Sequence, residues 1–528
     1  MVTFAIEILI FSISLLLLLL RRNKSQNKIN SKGFPLPPGP RRRALIGNLF
    51  DIPRQKAWHK FAEWKQQFGE MVYVEALGNG ILLLNTIELV NEMLQKRSSI
   101  YSDRPTFVMA GELMGLDNSI PMLQQGSAWQ KQRKVAHSHL GPAAIKKYYR
   151  VQEDIIALYI NSVIEKPETF DTELRLTAGR VIMSITYGLP VHTSDDVYIT
   201  EAESVMKMIG MATVPGAFLV DLVPKLKYLP SWLPFNTVHK TGADGRNRIY
   251  RMISRPFDHV KRELDNGIAL PSFTSDSLQE YFDSHGSEVD ADTDHVIRWA
   301  AGAMYGAGGE STYATILSFI LAMALFPDVQ VRARDEIDRV VGVDRLPSML
   351  DRPELPYINA TIKEALRWRP ALPLSIPRRA NQADFYEGYY IPRETIIIPN
   401  VWAIARDEKS GIPSHRFAPE RFLSSYVKET ATDPYSYAFG FGRRRVLICP
   451  GKALGDNNLF LLISGLMASV DISKQRDASD QEMPLDPSFT PGLVSHPEPY
   501  SVRIVPRSTH VVAVVKERVA RISSSVNL

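Results

Sequence analysis

The sequence predicts a mainly α-helical protein with a minor β component, built as one large domain behind a single N-terminal transmembrane helix. Three features carry that prediction. The chain opens on an apolar run of eighteen residues, Thr3 to Leu20. Ile297 to Leu325 and Tyr357 to Trp368 show helix-period apolar patterns free of proline. Tyr73 to Leu84 alternates like strands on either side of the turn Gly78-Asn79-Gly80. From Arg43 to Arg507 no linker, internal repeat or low-complexity tract interrupts the chain, so its 528 residues read as one body rather than several.

The run Thr3 to Leu20 is just long enough to cross a bilayer, and its only charge is Glu7. No positive side chain precedes it, whereas Arg21, Arg22, Lys24, Lys28 and Lys32 follow it. That order is the reverse of a cleaved signal peptide and places the bulk of the protein in the cytosol. Residues 1–22 are therefore read as an anchor and 23–42 as a basic, proline-rich linker. The linker ends in Gly33-Phe34-Pro35-Leu36-Pro37-Pro38-Gly39-Pro40, a stiff polyproline-like connector that cannot be helical. Residues 43–507 form the expected domain and 508–528 a C-terminal tail.

Composition removes several function classes. Hydrophobic residues at 45% and charged residues at 23% permit a large core and exclude wholesale disorder. The net charge of +5 is not gathered into a basic tract, which argues against nucleic acid. A single cysteine rules out an internal disulfide, four-cysteine zinc, multi-thiolate iron–sulfur clusters and covalent C-x-x-C-H haem attachment. No H-E-x-x-H, G-x-S-x-G or G-x-x-x-x-G-K-[ST] occurs, and no flavin or nicotinamide fingerprint is visible.

Four constellations remain. Cys449 lies in Phe439-Gly440-Phe441-Gly442-Arg443-Arg444-Arg445-Val446-Leu447-Ile448-Cys449-Pro450-Gly451, ahead of an apolar helical stretch from Ala453 to Met467. A helix start and neighbouring arginines both favour thiolate, a ligand for iron, and the glycines allow backbone N–H groups to approach the sulfur. Ala307-Gly308-Gly309-Glu310-Ser311-Thr312 sits inside the longest helix, where each glycine costs about 1 kcal/mol relative to alanine. A flat group pressed against the helix explains the missing side chains; a glycine-alanine packing seam is the alternative. Glu364 and Arg367, at i and i+3, share a helix face, with Arg421 a candidate third member. Trp129 and Arg133, at i and i+4, aim an indole donor and a guanidinium fork the same way, a grip suited to carboxylates.

In this order along the chain, from the proline hinge to about Val505, these motifs resemble the cytochrome P-450 family, and in particular fungal microsomal enzymes. The resemblance implies the cytochrome P-450 fold and haem b held by Cys449 as axial thiolate. It implies Glu310, Ser311 and Thr312 as the oxygen-activating segment, with Glu310 and Ser311 delivering protons. Trp129, Arg133, Arg378 and Arg444 would hold the haem, aided by Gly442 and Gly451 of the cysteine loop. Glu364, Arg367 and Arg421 would form a structural triad. It further implies a monomeric monooxygenase of the endoplasmic reticulum membrane, reduced by an NADPH-cytochrome reductase that meets the basic face of Arg443, Arg444, Arg445 and Lys452. The pocket segments it assigns, Phe107 to Leu116, Val205 to Leu222, Met304 and Tyr305, Leu372 to Ile376, and Pro491 to Val494, are mostly apolar. They imply a lipophilic small molecule from secondary metabolism or xenobiotic oxidation.

Two departures stand out. Ser311 replaces the family's usual threonine, keeping the hydroxyl but losing the β-branch that fixes its rotamer. Between Gly442 and Cys449 the chain has three residues more than the family spacing, up to ~10 Å of added contour. That excess would displace Arg444 and disturb the hydrogen bonds to sulfur. A membrane-anchored haem-binding protein with impaired turnover is accordingly the alternative expectation.

Overall fold

The computed structural model describes residues 30, 33–213, 217–230, 237–286, 288–441 and 449–525. The expected anchor at 1–22, Gly442 and Arg444 lie outside them. Twelve principal helices follow in order: α1 Ala57–Phe68, α2 Ser127–Leu140, α3 Tyr149–Glu165, α4 Phe170–Tyr187, α5 Val197–Ala212, α6 Val238–Asp265, α7 Phe273–His285, α8 Ala291–Leu325, α9 Pro327–Val340, α10 Pro356–Trp368, α11 Lys452–Ser469 and α12 Thr509–Ser525. The strands are β1 Met71–Ala76, β2 Asn79–Leu84, β3 Arg378–Arg379, β4 Asp384–Tyr386, β5 Tyr389–Ile391, β6 Ile396–Pro399, β7 Val470–Lys474 and β8 Val502–Pro506.

Helix α8 is the axis of the fold. Its first turn is capped by Asp290, whose carboxylate accepts from the amides of Asp292 and Thr293, both at 3.0 Å. Its C-terminal half, Tyr313 to Ala324, packs with α3, α9, α10 and α11 in one core. Its N-terminal half, Ile297 to Tyr305, packs with α4, α5, α6 and α7 in another. It is long and apolar enough to cross a membrane, yet most of it is buried inside the protein.

The predicted hairpin forms, Met71 pairing with Leu84, and extends into a four-stranded sheet ordered β1-β2-β6-β3. Strand alternation sends Leu82, Leu84 and Ile397 into one core and Ile81, Leu83 and Ile398 into another, so both faces are covered. The same alternation matters at β3, where Arg378 is buried while Arg379 bonds outward to Glu394 at 2.8 Å.

Two boundaries shift from expectation. The proline segment is docked rather than free: the Pro38 carbonyl accepts from the Tyr73 amide at 2.7 Å and that of Pro35 from Tyr390 at 2.8 Å. A Cβ on Gly39 would lie 2.0 Å from the Tyr73 carbonyl oxygen, which makes glycine obligatory there. The expected tail forms α12, because Val511 and Val515 recur at helical spacing and join the first core. Arg518 pairs with Asp154 on α3.

Glu364, Arg367 and Arg421 meet entirely out of water. Glu364 accepts from Arg367 Nε at 2.6 Å and Nη2 at 2.9 Å, from Arg421 Nε at 3.1 Å and from the Ala418 amide at 2.7 Å. The remaining guanidinium protons go to the carbonyls of Ala405, Ile412, Pro413, Ser414 and Arg416 and to the Ser410 hydroxyl. Three side chains at most 1% exposed thus fix the 405–418 segment onto α10.

Candidate active site

Cys449 stands two residues before the Gly451 N-cap of α11. Its amide donates to the Phe439 carbonyl at 2.8 Å, drawing together the two ends of the lengthened loop, and its carbonyl accepts from Lys452 at 3.2 Å. The Gly451 amide bonds to the sulfur. Cys449 keeps accessible area, yet burial pushes its thiol upward, against the Gly451 amide, Arg133 and Lys452. The surface it shows is therefore an internal one. Desolvation by the described residues works against the thiolate, and coordination to a metal is what would remove the proton, while Arg443, Arg444 and Arg445, the cations of the sequence expectation, lie outside those residues.

A row of three buried guanidiniums leads away from that sulfur, Arg133 acting on Cys449, Arg378 on Arg133 and Arg104 on Arg378. Arg133, on α2, lies 5.3 Å over the Trp129 ring as the i, i+4 spacing implied; burial lowers its pKa, and Cys449 opposes the shift. Arg378 is pushed down to about 10 by burial and then by Arg133. Arg104, held by the carbonyls of Pro377 at 2.9 Å and Ile376 at 3.3 Å, is lowered well below its ordinary value by burial and then by Arg378. Mutual repulsion among buried cations is unfavourable unless anions sit among them. A thiol beside Arg133, with Arg378 and Arg104 following in a buried row, matches the donor set for an iron macrocycle bearing two carboxylates. The fit test is met. Arg104 escaped the sequence reading because its mates are far away along the chain and no local spacing marks it.

Burial along α8 is nearly continuous from Val296 to Ala324, except at Ala303 and from Gly306 to Ser311. Ala303, Ala307 and Ser311, four residues apart, make one accessible stripe, and the Ser311 hydroxyl rests on the Ala307 carbonyl at 3.2 Å. The two glycines do not belong to that stripe. A Cβ on Gly308 would fall 2.2 Å from Ile182 Cδ1 of α4, whereas Gly309 has nothing within 4 Å. Gly308 thus serves helix packing, the alternative left open by the sequence. Helices α2 and α11, which bear Arg133 and follow Cys449, both pack on α8.

Other expected residues take different places. Thr312 is buried, and its hydroxyl donates to the Gly308 carbonyl at 3.2 Å, so it turns away from the stripe because helix rotation carries it about 100° past Ser311. Tyr305 donates to the Tyr198 carbonyl and, like Met304, is buried in the second core. Glu310 accepts from Arg175 Nη1 of α4 at 3.0 Å. Ser375, in the segment leading to Arg378, holds a left-handed φ of 53°, a strained turn at the site.

Comparison with known proteins agrees with this geometry. The family model described as Cytochrome P450 matches residues 37–504. The chain is 38% identical over 475 residues to the cytochrome P450 monooxygenase claR of Ampulloclitocybe clavipes, covering 90% of this chain and 87% of that one. It is 36% identical over 495 residues to the cytochrome P450 monooxygenase COX2 of Coprinopsis cinerea, covering 94% and 93%. It is 36% identical over 478 residues to the cytochrome P450 monooxygenase 208 of Postia placenta, covering 90% and 91%.

Proposed function

Because this chain belongs to the cytochrome P450 family, whose members are haem-thiolate monooxygenases, we propose that Cys449 is its iron ligand and that it oxygenates a lipophilic small molecule. The observation that carries the reading is the row of buried guanidiniums that starts at the one thiol, with Arg133 beside Cys449, Arg378 beside Arg133 and Arg104 beside Arg378. Haem b, when bound, supplies oxygen activation and the acceptance of electrons.

The chain's own residues do the rest. Arg104, Arg133 and Arg378, with the Trp129 indole, neutralise and orient the propionates. The Gly451 amide donates to the sulfur and moderates its electron donation. Ala303 and Ala307 keep the distal side of α8 narrow and apolar, which admits a lipophilic substrate and excludes bulk water. Ser311 offers the single hydroxyl on that stripe and passes protons that Glu310 supplies. Lacking flavin and nicotinamide modules, the chain draws electrons from an NADPH-dependent reductase docking on its basic cysteine-loop face. A membrane anchor at 1–22 and a place in the endoplasmic reticulum fit both the electron source and a membrane-partitioning substrate. The Cys449 amide bond to Phe439 weighs against the impaired alternative, since it fixes the ligand's backbone despite the longer loop.

The test is isotopic. Reconstituted with a diflavin reductase, NADPH and 18O2, the full chain should place one 18O atom in a lipophilic product and consume one NADPH per product. Product oxygen derived from water, or turnover that needs no NADPH, would contradict the proposal.

A further inference from the structure

On the side of α8 away from the Ala307 stripe lies a small half-open chamber of about 50 Å³, lined by Arg175, Glu203, Met206, Tyr305, Gly309 and Glu310. At roughly 10–15 Å³ for each water, it has room for a few. One guanidinium serves two carboxylates there. Arg175 donates to Glu310 at 3.0 Å, and its Nε lies 3.7 Å from Glu203 of α5. Arg175 is clamped 4.0 Å over the Tyr313 ring, whose hydroxyl in turn donates to Asp171 of α4. Glu203 is 41% exposed and Glu310 23%, so the chamber runs from solvent to the residue next to Ser311. The titratable groups around it are Asp171 and Arg175 on α4, Glu203 on α5, and Tyr305, Glu310 and Tyr313 on α8, with His496 beyond Tyr313.

We infer that Glu203 and Arg175 belong to the proton supply of the reaction: Glu203 takes a proton from solvent and hands it through chamber water to Glu310, while Arg175 positions both carboxylates. This rests on the monooxygenase reading above. The transfer balances as one O–H bond broken at Glu203 and one formed at Glu310, with no electron moved and Arg175 charged throughout. Once protonated, Glu310 loses its hold on Arg175, which keeps Glu203, and turns toward Ser311, its neighbour about 100° around the helix. A mere ion pair between α4 and α8 would need one carboxylate and no chamber. Burial also raises the Glu203 carboxyl, with Arg175 opposing burial and the charge of Glu310 adding to it, which favours its holding a proton. Gly309 keeps the chamber open, because no side chain there occupies it.

Glu203→Gln should keep haem content, the carbon monoxide spectrum and substrate affinity, yet yield about tenfold less product per NADPH, the difference appearing as peroxide. Arg175→Lys should retain most coupling and Arg175→Met should not. Independently of turnover, infrared spectra of the full chain should show a carboxylic-acid band that disappears in Glu203→Gln and shifts in Glu310→Gln. Wild-type coupling in Glu203→Gln, or a Glu203 band indifferent to Glu310→Gln, overturns the relay while leaving the monooxygenase reading intact. A coupled infrared band in a wild-type protein that forms no product would support the relay and refute that reading.

Discussion

Adjacent glycines on α8 should respond to the same substitution with opposite signs. A Cβ on Gly308 meets Ile182 Cδ1 at 2.2 Å and Cγ1 at 2.9 Å, overlaps that Ile182 can relieve only by leaving its rotamer. Overpacking of this kind costs about 1–3 kcal/mol, against a helix-propensity gain of about 1 kcal/mol for Gly→Ala. Gly308→Ala should therefore destabilise by up to about 2 kcal/mol. Gly309→Ala meets nothing within 4 Å and should stabilise by about 1 kcal/mol, while narrowing the chamber beside Glu310. Ile182→Val removes the nearer atom, Cδ1, at a cost of about 1 kcal/mol alone and leaves Cγ1 at 2.9 Å, and on that background Gly308→Ala should become less costly, a coupling of at least about 1 kcal/mol. Urea unfolding of the haem-loaded protein at fixed temperature, run over the four members of the Gly308/Ile182 cycle and on Gly309→Ala, reads these differences. If the two glycine variants shift stability in the same direction, or if Ile182→Val fails to relieve Gly308→Ala, the packing argument is wrong.

Three further outcomes follow from the same coordinates. Glu364→Gln strands the buried guanidiniums of Arg367 and Arg421, a loss of about 3–5 kcal/mol against a total stability of about 5–15 kcal/mol, so soluble yield and haem content should fall together. Arg104→Gln removes one cation from the haem grip, a charge-assisted bond of about 1.5 kcal/mol, and should speed haem transfer to apomyoglobin roughly tenfold without loss of secondary structure. Asp351 is held down to about 2, first by its hydrogen bond from Arg345 and then by the Ser348 amide and hydroxyl against burial. A depressed carboxyl stabilises the fold above its unfolded pKa and loses that effect as pH falls through the folded one. Asp351→Asn should thus cost about 1 kcal/mol at pH 7, discounted for the half-exposed Arg345, and nothing below about pH 2.

Local pattern made much of the architecture readable. Period 3.6 without proline located α8 and α10, and period 2 around Gly78-Asn79-Gly80 located β1 and β2. Glu364 and Arg367 were legible as a pair because i, i+3 spacing survives folding, but only burial shows that they lock the 405–418 segment. What escaped depends on contacts between distant segments. The role of Gly308 is set by Ile182, that of Arg104 by Arg378, and that of Glu310 by Arg175 and Glu203. The desolvation of the Cys449 thiol was illegible for a related reason: neighbouring cations can be read from sequence, whereas burial by the surrounding fold cannot. The Pro38 and α12 contacts likewise turned a hinge and a tail into parts of the body.

The central claim, that Cys449 ligates haem iron through a thiolate, is tested most directly by the absorption spectrum of the reduced, carbon monoxide-bound protein. The structure predicts a thiolate-type Soret shift in the full chain and its loss in Cys449→Ser at comparable haem content. A haem-loaded wild-type protein whose Soret band lacks that shift, or a Cys449→Ser variant that retains it, would contradict the account.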